Sequence, residues 1–287
     1  MDCSPSSTYC YTDRGSKGNE DFVYACEGFG LVLDGASGLG AQTDVPSGFQ
    51  STSQWYSHSI GTLLVDSLPG ARGLDDLRQA VESAVRAVAE RYLRLAAGDE
   101  QDGTVMPSCT LAVALVGSDA LHLAWLGDSP LVLCGAGARV VVDPALGRVD
   151  ATALAAMEER SRGKLLTGTQ KRELIDDVLL ANRKARNTPD AYWILDPTLA
   201  GLPHVHYQSV PREGVSAVYG MSDGMFAAVE KYGMVKAEQL DQTMGTYPQA
   251  VALVDRMRTV ELADKDLDRY PRFKPSDDAS VFRIALG

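Results

Sequence analysis

An apolar run ends abruptly at an acid in Phe29-Gly30-Leu31-Val32-Leu33-Asp34-Gly35-Ala36-Ser37-Gly38, and the rest of the chain is organised around this stretch. Leu31 to Leu33 are typical of a buried strand. Gly35 permits a tight turn, so the Asp34 carboxylate and the Gly35 carbonyl can point toward one place. The pattern predicts part of a site for a hard cation at the end of a strand.

Four further acidic positions stand at the ends of strand-like runs. Asp21 precedes Phe22–Tyr24, Asp128 follows Leu121–Leu126, Asp223 follows Val215–Tyr219, and Asp277-Asp278 precede Ala279–Ile284. Gathered carboxylates repel one another, and burying an unpaired charge is costly, so such a cluster requires a cation. Because oxygen ligands suit Mg²⁺ or Mn²⁺ better than zinc, the acids predict a magnesium or manganese site.

Five short motifs resemble those of the metal-dependent protein phosphatases of type 2C, in that family's order and over nearly the whole chain. They are Asn19-Glu20-Asp21, Asp34-Gly35-x-x-Gly38, Gly127-Asp128-Ser129, Ser222-Asp223-Gly224 and Asp277-Asp278-Ala279-Ser280-Val281. The resemblance implies a bacterial type 2C-like phosphoserine/phosphothreonine phosphatase, in which a hydroxide bridging two Mn²⁺ or Mg²⁺ ions attacks phosphorus. It also leaves open a catalytically weak relative that acts as a partner-binding regulatory module.

The resemblance also implies roles for individual residues. Asp34 would bridge both ions, and the Gly35 carbonyl would bind the second. Asp223 and Asp277 would bind the first ion, so that Asp34 and Asp223 count as catalytic. Asp21 would act through water on a metal, and Asp128 would help to hold a third, weaker ion.

A substrate-binding arginine is expected three residues before the asparagine of the first motif, where this chain has Ser16. Arg14 and Lys17 are the nearby candidates to replace it. We predict Arg14 as the catalytic phosphate-binding residue, since a guanidinium can bind two phosphate oxygens at once whereas an ammonium is a point charge.

Composition narrows the class of protein. The 287 residues carry a formal net charge of −11, which argues against nucleic acid as a partner because a phosphate backbone requires a basic surface. We find no apolar run of membrane-spanning length and no signal-peptide pattern after Met1, so we expect a cytoplasmic protein without a membrane partner. The expected partner is a phosphorylated protein, such as the product of a serine/threonine kinase. The five scattered cysteines predict reduced thiols.

The order of elements predicts an α+β fold. Helical periodicity covers Trp55–Leu68, Leu74–Ala97 and Pro248–Leu262, and strand-like runs occur in groups between them. Such grouping favours antiparallel sheets covered by helices over a doubly wound parallel sheet. We therefore expect one domain over 1–287, an αββα sandwich of two antiparallel β-sheets flanked by antiparallel helix pairs.

Residues 143 to 210 differ in character, with charged helical pieces at Thr152–Arg162 and Thr169–Arg186. By the family resemblance, this segment forms a flap beside the metal site, and we expect it to select substrates.

Two other parts of the sequence could form a different kind of site. Gly220-Met221-Ser222-Asp223-Gly224 matches the nucleophile elbow of serine hydrolases, but all four histidines precede Ser222, whereas that fold requires one after it. His204 and His206 could bind a metal from one face of a strand, although a solvated sheet edge explains them better.

Overall fold

The computed structural model describes residues 7–15, 18–36, 38, 46–96 and 104–286. Two five-stranded sheets, antiparallel at every pairing, lie against each other through an apolar core that both of them line. Helices cover the outer face of each sheet. The predicted αββα sandwich is confirmed.

The first sheet joins both ends of the described chain to its middle. In spatial order its strands are β1 (Tyr9–Asp13), β12 (Ala279–Ala285), β11 (Val215–Met221), β8 (Leu131–Gly135) and β9 (Ala138–Val141). Strand β12 pairs with β1 through Tyr9 and Arg283, and with β11 through Gly220 and Phe282. The ends of β11 and β12 that carry Asp223 and Asp277 are therefore neighbours.

The second sheet contains the stretch that ends at Asp34. In spatial order its strands are β10 (His206–Pro211), β7 (Ala120–Leu126), β6 (Leu111–Val116), β3 (Phe29–Leu33) and β2 (Phe22–Ala25). All five residues of β3 are buried, as its uninterrupted apolar run predicts. A separate two-residue ladder pairs β4 (Gly35–Ala36) with β5 (Ser108–Cys109) directly after Asp34.

Two helices cover the second sheet, α1 (Thr52–Ser67) and α2 (Leu74–Leu95), with a short 3₁₀ turn at Leu68–Gly70 between them. Helix α1 begins three residues earlier than its apolar pattern predicts, because the Ser51 hydroxyl caps it by accepting a hydrogen bond from Gln54 N at 3.0 Å.

Three helices cover the first sheet. They are α6 (Asp223–Glu230), α7 (Leu240–Met244) and α8 (Tyr247–Ala263), and their buried side chains form one core with the outer face of β11 and β12. Between the two sheets, the Phe282 ring lies against Gly30 of one sheet and Gly220 of the other. A Cβ atom at either glycine would lie within 2.5 Å of that ring, so both positions need glycine for the sheets to approach closely.

The predicted flap contains three helices, α3 (Pro144–Ser161), α4 (Gly168–Glu173) and α5 (Asp176–Ala185), around a small core of Ala153, Met157 and Ile175. The prediction of a first helix over Thr152–Arg162 was wrong at its start. Pro144 is the first residue of the helix, and the Asp143 carboxylate caps it. Capping residues of this kind mark the start of a helix, but they do not appear in the spacing of apolar residues.

The single helical piece predicted over Thr169–Arg186 was also wrong, because the chain turns at Leu174 and Ile175 to bury Ile175. None of the helices in the described ranges has the length and hydrophobicity that crossing a lipid bilayer requires.

Candidate metal centre

The structure brings the five predicted acids together where loops of the two sheets meet. Asp21, Asp34 and Asp128 adjoin β2, β3 and β7 of the second sheet, whereas Asp223 and Asp277 adjoin β11 and β12 of the first. The charge of Asp223 raises the pKa of each of the other four carboxyls, although burial is the larger cause in every case. The five acids therefore lie within electrostatic reach of one another.

Gly35 and Gly224 allow the loops that carry the acids to come into backbone contact. A Cβ atom at Gly35 would lie 2.5 Å from the backbone oxygen of Glu20, and one at Gly224 would lie 2.1 Å from that of Asp278. Real Cβ atoms do not tolerate such distances, so any side chain here would push apart the loops that carry Asp21, Asp34 and Asp277. Close contact with the backbone of Glu20 and of Asp278 therefore explains why glycine follows the aspartate at Gly35 and at Gly224.

Hydrogen bonds fix the backbone of these loops. The buried Asp278 carboxylate accepts hydrogen bonds from Gly15 N at 2.8 Å and from Glu20 N at 2.9 Å, which holds the segment before Asp21. On the other side, Thr110 Oγ1 accepts a hydrogen bond from Asp34 N at 3.0 Å, and Thr110 N donates to Asp34 O at 2.9 Å.

The loop that carries Asp128 is tied to the same threonine. The Thr110 hydroxyl lies 2.6 Å from Ser129 Oγ. Gly127, with a φ of +83°, makes the turn that places Asp128 after the end of β7. A left-handed conformation of this kind favours glycine, which explains the residue before this acid.

Electrostatics within the cluster are unfavourable for a set of bare carboxylates. Burial, followed by repulsion from Asp278, raises the pKa of Asp21 to about 8, and burial with repulsion from Asp223 raises that of Asp277 to about 6. Burial and neighbouring acids also hold the pKa values of Asp34 and Asp128 well above the usual range. Divalent cations would remove this repulsion.

The burial of Asp21 indicates that the acid cluster is suited to a bound cation. Only 3 % of the residue is exposed, and neither carboxylate oxygen has a hydrogen-bond partner in the described structure. Ser280 is near enough to lower the Asp21 pKa in part, but its hydroxyl is 2.7 Å from that of Thr12 and shares a hydrogen bond there. A buried carboxylate without partners requires a proton, a cation or a cation's water shell.

The spacing of the acids determines which cations fit. Within the described ranges, no three Asp, Glu, His or Cys side chains converge closely enough to form a metal cage by themselves. Mg²⁺ usually keeps several waters and takes only one or two protein carboxylates, so a wider set of acids with a backbone carbonyl suits it. The donors present fit Mg²⁺ or Mn²⁺ held partly through water.

Two residues of the cluster were missed by sequence reasoning. Asp150 lies in α3 of the flap, and burial, Asp223 and Asp277 together raise its pKa to about 7. It stands inside a helix and not at the end of a strand, so the pattern that found the other acids could not find it. Lys274 forms an ion pair with Asp277 and lies in a polar loop without any motif.

The other predicted site residues lie as follows. Arg14 is exposed, and its neighbour Gly15 lies against the backbone of Asp277. Lys17 falls outside the described residues.

His204 and His206 are exposed and stack on Trp193 and Trp125, in agreement with a solvated edge. Cys10, Cys26, Cys109 and Cys134 are free thiols, whereas Cys3 lies outside the described residues.

Comparison with known proteins identifies the family. The family model described as Protein phosphatase 2C matches residues 19–268. This chain belongs to the protein phosphatase 2C family. The match confirms the family and the enzyme class, a protein serine/threonine phosphatase, that the motifs imply. No curated protein is significantly similar to the chain in sequence.

Solved structures agree with the phosphatase fold. The chain is similar to the serine/threonine phosphatase PstP/Ppp of Mycobacterium tuberculosis, at 18 % identity and a TM-score of 0.57, over 98 % of this chain and 99 % of that one. It also resembles Stp1 from Staphylococcus aureus, at 13 % identity and a TM-score of 0.58, over 99 % and 96 % of the two chains. A third similar structure, at 17 % identity and a TM-score of 0.58 over 98 % of each chain, is the catalytic domain of PstP in complex with two manganese ions.

Proposed function

We propose that this 2C-family phosphatase hydrolyses phosphoserine and phosphothreonine in proteins by means of two bound Mn²⁺ or Mg²⁺ ions. The observation that carries the proposal is the buried, unpartnered carboxylate of Asp21 within a group of four other acids. A similar phosphatase structure that contains two manganese ions supports the choice of cation. The proposal assigns 1–287 to a single catalytic domain.

The proposed ligands follow the positions of the acids. Asp34 would hold both ions and the Gly35 carbonyl would hold the second, because the two residues are adjacent where β3 passes into the ladder of β4 and β5. Asp223 and Asp277 would bind the first ion from the other sheet. Asp21 would act through water, and Asp128 would help to hold a third, weaker ion.

When bound, the two ions would supply Lewis-acid chemistry, lowering the pKa of a water between them and neutralising the phosphoryl oxygens. The residues of the chain hold the loops that carry the acids in place. Thr110 and Ser129 hold Asp34 and Asp128 in place, and Asp278 fixes the loop that leads to Asp21. Because these hydrogen bonds form without substrate, the backbone that carries the carboxylates is held in place before the reaction.

Arg14 is the proposed phosphate-binding residue. Gly15 N donates to Asp278 Oδ1 at 2.8 Å, so the backbone beside Arg14 is anchored at the acidic loop while its side chain stays exposed. A guanidinium in that place can bind two oxygens of a phosphate ester that approaches the ions.

Residues 143 to 210 form the proposed substrate-selecting flap. Asp150 of α3 reaches the acid cluster, whereas Leu165, at the turn between α3 and α4, is fully exposed. The segment thus has one part at the site and another in solvent. Substitution of Leu165 by Ser should change activity on phosphopeptides and leave hydrolysis of a small phosphate ester unaltered; a parallel change in both would contradict this role.

The proposed substrates are cytoplasmic proteins that serine/threonine kinases phosphorylate, without a nucleic acid or membrane partner. The charge of −11 supports the exclusion of nucleic acid.

The test is hydrolysis of p-nitrophenyl phosphate and of a phosphothreonine peptide, with added Mn²⁺ and with a chelator. Asp223→Asn keeps the size of the side chain and removes its charge, so it should lose one tight Mn²⁺ site in calorimetry and nearly all activity. Asp190→Asn, at an exposed flap position, is the matched control and should behave as wild type. A wild-type protein that binds no divalent metal would contradict the proposal, and one that binds metal without hydrolysing either ester would favour the partner-binding alternative.

A further inference from the structure

One arginine of the flap reaches the loop that follows Asp34. Arg183, in α5, donates from Nη2 to the backbone oxygens of Ala36 at 3.0 Å and Met106 at 2.8 Å, and from Nη1 to Ser108 Oγ at 3.1 Å. Ala36 is the second residue of β4, and Ser108 is its partner in β5. A single guanidinium therefore holds both strands of the short ladder at the metal centre.

The Ala36 carbonyl is fixed from three sides. Besides Arg183, the buried Ser53 hydroxyl of α1 donates to it at 2.7 Å, and the Ser108 hydroxyl lies at 3.5 Å. This carbonyl belongs to the peptide directly after the one that contains the Gly35 carbonyl. Restraining it limits the rotation of β4 and with it the direction of the Gly35 oxygen.

The flap holds β5 at further points. Arg186 directly follows the end of α5, and its Nη1 donates to the same Met106 oxygen at 3.2 Å. Leu195, beyond the end of α5, exchanges two backbone hydrogen bonds with Cys109, with N···O distances of 2.9 and 3.1 Å. The flap thus contacts β5 through Leu195 and the segment just before β5 through Arg186.

The contacts of Arg183 indicate a positioning role. Its three hydrogen bonds all go to neutral oxygen acceptors, and it forms no ion pair within the described ranges. Because burial lowers the pKa of the guanidinium only to about 10, it stays charged at neutral pH. Hydrogen bonds from a charged donor are stronger than those between neutral groups, which suits a group that must hold backbone oxygens in place.

We propose that Arg183 is a positioning residue that orients the Gly35 carbonyl toward the second metal ion and thereby couples the flap to metal binding. The inference rests on the proposed function, since it takes Gly35 as a ligand. Coupling of this kind is reciprocal, so bound metal should in turn order the flap.

The test measures Mn²⁺ binding by calorimetry and amide hydrogen exchange in α5. Arg183→Gln should weaken one of the two tight Mn²⁺ sites roughly tenfold, the low end of the effect of groups that orient metal ligands. It should lower kcat for a small ester more than it changes KM. Mn²⁺ should slow exchange over Asp176–Ala185 in wild type and fail to do so in the variant.

Three variants control the experiment. Arg160→Gln breaks an exposed ion pair with Asp177 in the same flap and should leave both Mn²⁺ sites unchanged. Ser53→Ala removes another donor to the Ala36 oxygen and should weaken the same site by a smaller factor. Arg183→Lys keeps the charge but cannot reach two carbonyls in the same geometry, so its affinity should fall between those of wild type and Arg183→Gln.

A folded Arg183→Gln protein with two unchanged Mn²⁺ sites would overturn the inference. Should that variant fail to fold, Arg183→Lys decides: a weakened site supports the inference, and wild-type affinity overturns it. A wild-type protein without two tight Mn²⁺ sites would instead contradict the proposed function.

Discussion

The ammonium group of Lys274 forms an ion pair with Asp277, three residues later in the chain. Although burial acts to lower the pKa of Lys274, attraction to Asp277, Asp223 and Asp34 holds it above its ordinary value. The lysine is thus a counter-ion supplied by the chain to acids that are proposed to bind metal. A divalent ion at Asp277 must compete with it.

Lys274→Met should therefore tighten Mn²⁺ binding, in contrast to changes at the acids themselves. Because the pair is partly exposed, with 45 % and 31 % of the two side chains accessible, its loss should raise affinity by no more than about fivefold. Calorimetry against wild type measures this, and exposed Lys164→Met is the control. Weaker binding in Lys274→Met would show that the lysine supports the metal site and does not compete with it.

Gly224→Ala should abolish metal binding although it adds a single methyl group. The new Cβ would lie 2.1 Å from Asp278 O and 2.9 Å from Asp277 Cβ, so the loop carrying Asp277 must move. Gly147→Ala is the matched control, because it also lies in a helix but nothing is within 4 Å of its added Cβ. That change should stabilise the protein by about 0.5–1 kcal/mol. Denaturant unfolding and Mn²⁺ titration distinguish the two; tight metal binding by Gly224→Ala would refute the packing argument.

The metal-free protein should lose stability as pH rises through neutrality. In the folded state the pKa of Asp21 is about 8, against an ordinary value of 3.8. Between these pH values the folded state binds more protons than the unfolded chain, so the free energy of unfolding falls with increasing pH. Melting temperatures of chelator-treated protein at pH 5.5 and pH 8 should show the decrease.

Asp21→Asn removes this titration and should weaken the dependence, whereas exposed Asp190→Asn should not. Because the pKa values of Asp34 and Asp128 are also raised, part of the dependence should remain. Saturating Mn²⁺ should also flatten it in wild type, because a bound cation favours the ionised carboxylate. An equal loss of stability in Asp21→Asn and wild type would assign the effect to other groups.

Arg14→Ala should raise KM for phosphate esters roughly tenfold with little change in kcat, since the proposed contact exists before and during the reaction. Arg14→Lys should lie between wild type and alanine, because an ammonium lacks the second donor arm. Arg94→Ala, at an exposed pair on α2, should leave kinetics unchanged. If KM rose only in Lys17→Ala, the phosphate-binding role would belong to that lysine.

The fold and the five acids could be predicted because each depends on a short-range pattern. Buried strands such as β3 appear as apolar runs, and the acids directly adjoin the ends of strands. Asp150 and Lys274 could not be predicted in this way, since helix packing in the flap and a loop of irregular conformation bring them to the site. The early start of α3 at Pro144 depends on capping, and the break between α4 and α5 at Leu174 depends on burial of Ile175. Periodicity detects neither.

The two sheets meet through apolar side chains such as Val32 and Phe282, and each sheet sends acids to the same place. A cation held by Asp34 and Asp223 would therefore tie one layer of the sandwich to the other at its polar end. Such a tie links the unfolding of the layers, so removal of metal should broaden a single sharp transition, with the acidic end opening first. The ions proposed for hydrolysis would then also make the two sheets unfold together, so the cooperativity of folding would depend on bound metal.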